Sequence, residues 1–430
     1  MIPAARVAAA IEVLDTIASG RLPAGEALKE WGRARRFAGS GDRAHVASLV
    51  FDSLRRKASS AWVMGEDKPR AIMLGALREA RGMTVEFIAE LCTGEGHAPA
   101  ALTPHERERL ATATLDDAPD HVRGDYPEWL APSFAAVFGE HAVAEGRALA
   151  ERAPVDLRVN TLKGTREDAL KAIAHLNPVE CALSPVGLRI QVGPDGRGPA
   201  LQAEPAYVKG RIEVQDEGSQ LAAFLAGAVD GGQVLDLCAG GGGKSLALAA
   251  IMDNRGQIFA TDDDGRRLTP MFARLDRAGA RNVQVRAPRG KEDILADLAG
   301  RCDLVFADAP CTGVGAWRRN PDSKWRTRPG ALEQRQKDQD EVLAAAARYV
   351  KTGGSICYVT CSLLREENEE RVAAFLAANP AYLPRHPDHM ARLAGIPKLA
   401  EFASPFGPGL RLSPRTSGTD GFYVASLVKS

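Results

Sequence analysis

Val234-Leu235-Asp236-Leu237-Cys238-Ala239-Gly240-Gly241-Gly242-Gly243-Lys244-Ser245 is a short apolar run, then a glycine loop, then the start of a helix. Residues 234–237 read as a buried parallel strand. Glycine lets a backbone approach a ligand closely, and the first helical turn offers N–H groups that lack partners. The loop is not a Walker loop, because no convincing magnesium-binding acid follows it. Nor is it the dinucleotide fingerprint, whose third glycine is missing. The next apolar run, residues 257–261, ends in Asp262. An acid about twenty residues beyond such a loop can accept hydrogen bonds from both ribose hydroxyls of an adenosine. The plainer reading makes Asp262 a helix cap, with Asp263 and Asp264 equally placed for it. Further runs at 283–286, 303–307 and 355–359 read as strands. Helices lie between them, one ending near Ala278, one carrying Ile294, Leu295 and Leu298, and one over 332–350. This alternation predicts an open, mostly parallel, doubly wound sheet.

Two of those strands end in cysteine. Asp308-Ala309-Pro310-Cys311-Thr312-Gly313 follows the run at 303–307, and Thr360-Cys361-Ser362 follows the run at 355–359. Either cysteine alone reads as a small apolar core residue. Two thiols and a carboxylate beyond the carboxyl ends of strands, beside a glycine loop, form a candidate active site.

Composition narrows the field. The chain has 430 residues, 45% of them apolar, and 55 basic residues balance 55 acidic ones. Two or three domains are expected. Zero net charge gives no global field to attract nucleic acid, so any such binding must come from local patches. No apolar run is long enough to span a membrane. Residues 1–20 lack the order of a signal peptide. Seven cysteines without a Cys-x-x-Cys pair argue against a disulfide framework or a zinc site. A reducing cytoplasm fits, and there catalytic thiols stay free.

The first 96 residues read as helical. Val7, Ile11, Leu14 and Ala18 recur at helical spacing, Leu28 and Trp31 mark a second helix, and Asp42 could cap a third. Arg33, Arg35, Arg36, Arg43, Arg55, Arg56 and Lys57 could form a basic face or an ordinary solvated one. Residues 97–126 read as a linker or a short helical connection. Residues 155–159 and 188–192 read as strands flanking a helix that Thr165 and Asp168 can cap. After the Pro-Cys motif, Trp317, Arg318, Arg319, Lys324, Trp325, Arg326 and Arg328 interleave cations with indoles. That pattern suits phosphate contacts and base stacking, or else a solvated charged loop. Arg411-Leu412 and residues 421–428 have the alternation of a closing hairpin.

Together these residues resemble the RNA cytosine-5 methyltransferases of the Sun/Nop (RsmB-like) family. The matching pieces are the loop from Asp236 to Ser245, Asp262, Asp308-Ala309-Pro310-Cys311, Pro321-Asp322-Ser323-Lys324-Trp325, Thr360-Cys361-Ser362 and Asp420-Gly421-Phe422. Arg158-Val159-Asn160 matches more loosely, and residues 42–57 resemble a NusB-like RNA-binding domain. The resemblance implies a Rossmann-like class I methyltransferase domain over 206–430. Before it come a small α+β, RRM-like domain over 126–205 and an all-α NusB-like domain with its linker over 1–125. It implies S-adenosyl-L-methionine as donor and RNA as substrate, with 16S rRNA preferred by analogy, and no metal. A cytoplasmic monomer is expected.

The implied donor site is Cys238, Ala239, Gly240, Gly241, Gly242, Gly243, Lys244, Asp262 and Asp308. The implied RNA contacts are Arg318, Arg319, Lys324, Trp325 and Arg326. Carbon 5 of cytosine is a poor nucleophile, and a thiolate added to carbon 6 converts the ring to an enamine that can attack a methyl group. In the family's terms Cys361 is that nucleophile. Asp308 steadies the cytosine edge, Lys244 supplies nearby positive charge, and Cys311 assists release. A base inside a helix cannot reach such a pocket, so single-stranded or flipped RNA is expected.

Two departures stand out. Cys238-Ala239-Gly240-Gly241-Gly242-Gly243 replaces the family's usual Ala-Ala-Pro-Gly-Gly. The acid usual after the third strand is missing from Arg286-Ala287-Pro288-Arg289-Gly290, and Asp293 is the acid that could stand in. Three other readings remain: a transfer-RNA methyltransferase, an enzyme that attacks through Cys311, and an RNA assembly factor that has lost donor binding.

Overall fold

The computed structural model describes residues 1–20, 22–193, 196, 198–290 and 292–430. The chain forms two compact units. The first comprises Met1–Ala153, Val192–Gly198 and Trp317–Arg328, and the second comprises Pro154–Gln191, Pro199–Ala316 and Pro329–Ser430. Residues 126–153 pack with the helical unit. So do the twelve residues of Trp317–Arg328.

The first unit is helical. Helices Pro3–Ala18, Ala24–Ala34 and Ser40–Arg55 bury Val7, Leu14, Trp31, Val46 and Val50 in one core with Leu74 and Ile88 of later helices. A fully buried side chain of this size contributes about 1.5–3 kcal/mol. Asp42 does not cap the third helix, whose N-cap is Gly39. Its carboxylate instead pairs with Arg6. The expected linker carries two helices, Pro104–Thr112 and Asp120–Arg123, the first closed by a Thr103/Glu106 capping box.

The second unit holds two sheets. Strands β1 (Val155–Val159), β2 (Val179–Glu180), β3 (Gly187–Ile190) and β4 (Ile212–Val214) form an antiparallel sheet in the order β2-β3-β1-β4. The Thr165/Asp168 capping box is present on helix Arg166–Ala172, which packs Ala169 against Leu157 and Leu188.

The main sheet contains β5 (Gln233–Asp236), β6 (Gln257–Ala260), β7 (Val283–Val285), β8 (Cys302–Asp308), β9 (Val350–Thr360), β10 (Tyr382–Pro384), β11 (Leu410–Leu412) and β12 (Phe422–Lys429). Its order is β10-β12-β9-β8-β5-β6-β7, with β11 also paired to β12. Strands β5 to β9 run parallel, and β12 pairs antiparallel with β9. Both faces are covered, so neighbours along a strand enter different cores: Val305 and Ile356 lie on one side, Phe306 and Cys357 on the other. The stretch expected to form a helix around Ile294 and Leu298 makes only a short 3-10 turn, Ala296–Leu298.

This topology sets the site. From β5 the chain builds outward to β7, then returns to β8 on the other side of β5. The crevice at such a reversal, beyond the carboxyl ends of the strands, is where ligands bind in this architecture. The parallel register pairs Asp308 with Val359, so the turns after β8 and β9 leave the sheet side by side.

Candidate active site

The two cysteine turns meet. Cys311 Sγ lies 3.3 Å from Cys361 Sγ, and both side chains are half-buried. Backbone bonds fix this approach: the Gly315 N–H donates to the Cys361 carbonyl at 2.9 Å, and the Gly421 N–H donates to the Gly315 carbonyl at 2.9 Å. A Cβ on Gly315 would fall 2.2 Å from the Gly421 carbonyl oxygen, so these segments touch only because both residues are glycine. The Cys311 thiol is pushed well above its ordinary value by its hydrogen bond to Cys361 and by burial.

Lys244 and Asp308 form an ion pair at 2.6 Å. Burial opposes the lysine charge, but Asp308 outweighs it and the amine is shifted upward, with Cys361 and Asp236 adding to the effect. The ammonium also lies over the Phe422 ring, 5.4 Å from its centroid. Asp236, at the end of β5, is fully buried and accepts the Ser245 hydroxyl at 2.5 Å. Burial pushes its carboxyl up to about 7.

The glycine loop turns sharply before helix Gly243–Ile251. Gly242 has φ of +80°, and a Cβ there would strike the Met271 side chain at 2.6 Å. Asp262 faces the loop: one oxygen accepts the Gly240 N–H at 2.9 Å, and the other accepts the Asp264 N–H and pairs with Arg267 at 3.1 Å. Burial, with a hydrogen bond from Asp263, raises its carboxyl. It is Asp264, not Asp262, that caps helix Gly265–Ala278. The plainer reading of Asp262 as the cap is thereby removed.

A cavity of about 450 Å³ opens on this side of the sheet. Leu237, Cys238, Asp262, Asp263 and Pro288 line it, and it reaches Pro310 of the Cys311 turn. Its size suits a nucleoside-containing ligand. A buried acid in its wall, bonded to the glycine loop through the Gly240 N–H, and a lining that reaches the residue before Cys311 fit S-adenosylmethionine. Arg286, standing where the third-strand acid was expected, pairs with Asp297 and lies over the Phe259 ring. Asp293 does not take over, for its carboxylate accepts the Leu295 N–H and pairs with Arg348. The acid from that segment that borders the cavity is Glu292, which sequence reasoning passed over.

The expected RNA-contacting loop is a correction. Trp317, Arg318 and Lys324 are buried. The Lys324 amine donates to the Asp125 carbonyl at 2.6 Å and the Arg55 carbonyl at 3.1 Å, and lies over the Trp317 and Trp325 rings. Burial pushes this amine down to about 7. Trp325 donates to the Leu54 carbonyl at 2.6 Å and packs on the helical core, while Trp317 stacks on Phe134. Lys324 and Trp317 are thus buried within the first unit, out of reach of phosphates and bases, and the half-buried Trp325 is tied to the same unit. Arg319 is half-buried, and Arg326 is exposed beside Asp322. The proposed basic face is similarly spent in part: Arg55 pairs with Asp52, Arg56 with Glu151, Arg35 with Glu12 and Lys57 with Asp67.

Lys324→Ala is expected to lower the stability of the first unit by about 2–4 kcal/mol, because it opens a cavity and strips two buried carbonyls of their donor. Lys324→Met, which keeps the volume, should cost less. Urea unfolding followed by tryptophan fluorescence measures both, and an unchanged midpoint in Lys324→Ala would refute this role.

Among the described residues no group of three or more His, Cys, Asp or Glu side chains could hold a metal ion. Among the same residues no helix is long and apolar enough to cross a membrane.

Comparison with known proteins agrees with this geometry. Residues 223–428 match the family described as 16S rRNA methyltransferase RsmB/F. Residues 126–195 match the ferredoxin-like domain of RsmF/B-like methyltransferases. The chain is 31% identical to the ribosomal RNA small subunit methyltransferase B of Xylella fastidiosa, over 90% of this chain and 92% of that one. Its identity to the protein of the same name from Sodalis glossinidius is 32%, over 75% of this chain and 70% of that one. Among solved structures, PH0851 aligns with 100% of this chain and 99% of its own, at TM-score 0.74 and 22% identity. NSun6 from Pyrococcus horikoshii, solved with an analogue of S-adenosylmethionine, aligns with 71% of this chain and 98% of its own, at TM-score 0.60 and 22% identity.

Proposed function

The chain belongs to the RsmB/F family of 16S rRNA methyltransferases, which use S-adenosylmethionine, and from that premise we propose that it methylates carbon 5 of a cytosine in small-subunit ribosomal RNA through a covalent Cys361 adduct. The observation that carries the reading is the meeting of two thiols beside the Lys244–Asp308 pair, on a turn whose Pro310 borders the cavity that Asp262 lines.

Asp262 and the N–H groups of the glycine loop would hold the donor's nucleoside, with Glu292 and Pro288 along its base. When bound, the donor supplies an electrophilic methyl group. The remaining chemistry belongs to the side chains. Cys361 Sγ, as thiolate, bonds to carbon 6 of the flipped cytosine, and the displaced electron pair is drawn toward the pyrimidine edge that Asp308 faces. The ammonium of Lys244 keeps Asp308 in place and puts positive charge near the attacking sulfur. Carbon 5 is now nucleophilic and takes the methyl group. Its proton then passes to solvent water, the freed electron pair re-forms the carbon 5–carbon 6 double bond, and the carbon 6–sulfur bond breaks to restore the Cys361 thiolate. Cys311, in contact with Cys361, assists this last step.

Bisulfite sequencing of total RNA from cells with and without the protein tests the reading. One cytosine of small-subunit ribosomal RNA should resist conversion only when the protein is present. A protected transfer-RNA cytosine would redirect the substrate, and no protected cytosine in either would overturn the reaction. Arg286 in place of the third-strand acid favours a second reading, an RNA assembly factor without donor binding. Calorimetric titration with S-adenosylmethionine separates the two.

A further inference from the structure

Two adjacent side chains with no part in the chemistry above grip both cysteine turns. Glu367 ends the 3-10 turn Arg365–Glu367, and Asn368 precedes helix Glu369–Ala378. Both are completely buried. Glu367 Oε1 accepts the Thr312 N–H at 2.8 Å and the Gln339 side-chain amide at 3.1 Å, and Oε2 accepts the Thr312 hydroxyl at 2.5 Å. The same Gln339 amide donates to the Pro310 carbonyl at 2.9 Å. The residues on each side of Cys311 are thus fastened to one carboxylate and its amide partner. Asn368 does the same around Cys361. Its Oδ1 accepts the Thr360 hydroxyl at 2.5 Å, and its Nδ2 donates to the Ser362 carbonyl at 2.9 Å.

The arrangement is costly to build. A buried carboxylate needs its lone pairs filled, and three donors converge on Glu367 to do so. Fewer polar groups would suffice to stop a turn from unravelling. The linkage also runs between the turns: neighbouring residues on one backbone hold cysteines fifty positions apart, so each turn is referenced to the other. Two sulfurs that act in succession on one ring need such referencing, since misplacement by about 1 Å can cost about 100-fold in rate.

We propose that Glu367 and Asn368 are positioning residues, Glu367 setting Cys311 for release and Asn368 setting Cys361 for attack. The inference rests on the thiol roles given under the proposed function. It predicts that the two side chains act on different steps, which a merely structural role would not produce.

The test compares ordinary RNA substrate with RNA carrying 5-fluorocytosine. Fluorine at carbon 5 cannot leave as a proton does, so that substrate traps the methylated adduct whether or not release is assisted. Glu367→Ala is expected to trap fluorinated RNA within about threefold of the wild-type rate. On ordinary RNA it should turn over about 30-fold more slowly and accumulate covalent complex. Asn368→Ala should slow trapping and turnover alike. Glu367→Gln keeps one acceptor oxygen for Thr312 and should recover most of the turnover. Thr312→Val, which removes only the hydroxyl bond to Oε2, should show the Glu367→Ala pattern more weakly. It keeps the test informative if Glu367→Ala does not fold, and donor titration reports folding in every variant. Equal loss of trapping and turnover in the Glu367 and Thr312 variants, or normal turnover in both, overturns the proposal. Cys311→Ser run alongside separates the two failures. If it accumulates adduct and the Glu367 variants do not, only the positioning role is wrong. If it accumulates none, the thiol roles fail and the positioning role falls with them.

Discussion

Cys361→Ser is expected to abolish methyl transfer, by at least about 10⁴-fold, because a serine hydroxyl is almost wholly protonated near neutral pH and is a far weaker nucleophile than a thiolate. The substitution removes no bulk and leaves the backbone bond from Gly315 to the Cys361 carbonyl in place. Donor binding should therefore survive, and the loss should fall on the chemical step. Cys311→Ser should behave differently. The attacking sulfur and the Lys244–Asp308 pair remain, so attack and methylation proceed, while release stalls with RNA attached to the protein. A slow-migrating band in a denaturing gel, strong in Cys311→Ser and gone from the double variant, is the expected pattern. A band from Cys361→Ser and none from Cys311→Ser would exchange the two roles.

Asp262→Ala should weaken donor binding by roughly 2–4 kcal/mol, or about 30- to 1000-fold in Kd. Part of this comes from two lost ribose hydrogen bonds and part from the loop, since Asp262 also accepts the Gly240 N–H. Asp262→Asn, which can still hold Gly240 but has lost its charge, should fall between Asp262→Ala and wild type. Arg267→Ala takes away the exposed cation beside Asp262 and leaves the carboxylate, so a change below about fivefold is expected. Calorimetry gives all four constants. Wild-type affinity in Asp262→Ala would remove this acid from the donor site.

The parts of the fold legible in the sequence were those with a local cause. Each strand of the parallel sheet is a short apolar run buried on both faces, and the runs that end in Asp236, Asp308 and Thr360 are β5, β8 and β9. Thr165 and Asp168 lie three residues apart and form the capping box that this spacing predicts. The segment from Trp317 to Arg328 misleads for the opposite reason. Its cations and indoles would suit RNA, but their partners are the carbonyls of Leu54, Arg55 and Asp125, 271, 269 and 199 positions away. Nothing within the segment announces them. Asp42 is similar: a residue of capping type, it is held by Arg6, 36 positions earlier. Glu367 escaped because it lies in the run Arg365-Glu366-Glu367-Asn368-Glu369-Glu370, where a buried acid looks like a solvated one. Its position just after a cysteine-ending strand was the available signal. Glu292 was hidden likewise, six residues beyond the place where the acid was expected.

Which sulfur holds the RNA decides the mechanism. Cys311→Ser, incubated with donor and RNA, denatured, and digested with trypsin and ribonuclease, gives peptides whose mass spectra place the remaining nucleotide. A methylated cytidine nucleotide is expected on Cys361, with Cys357 in the same peptide unmodified. A nucleotide on any other residue, or an unmodified Cys361 peptide from a protein that still methylates RNA, would contradict it.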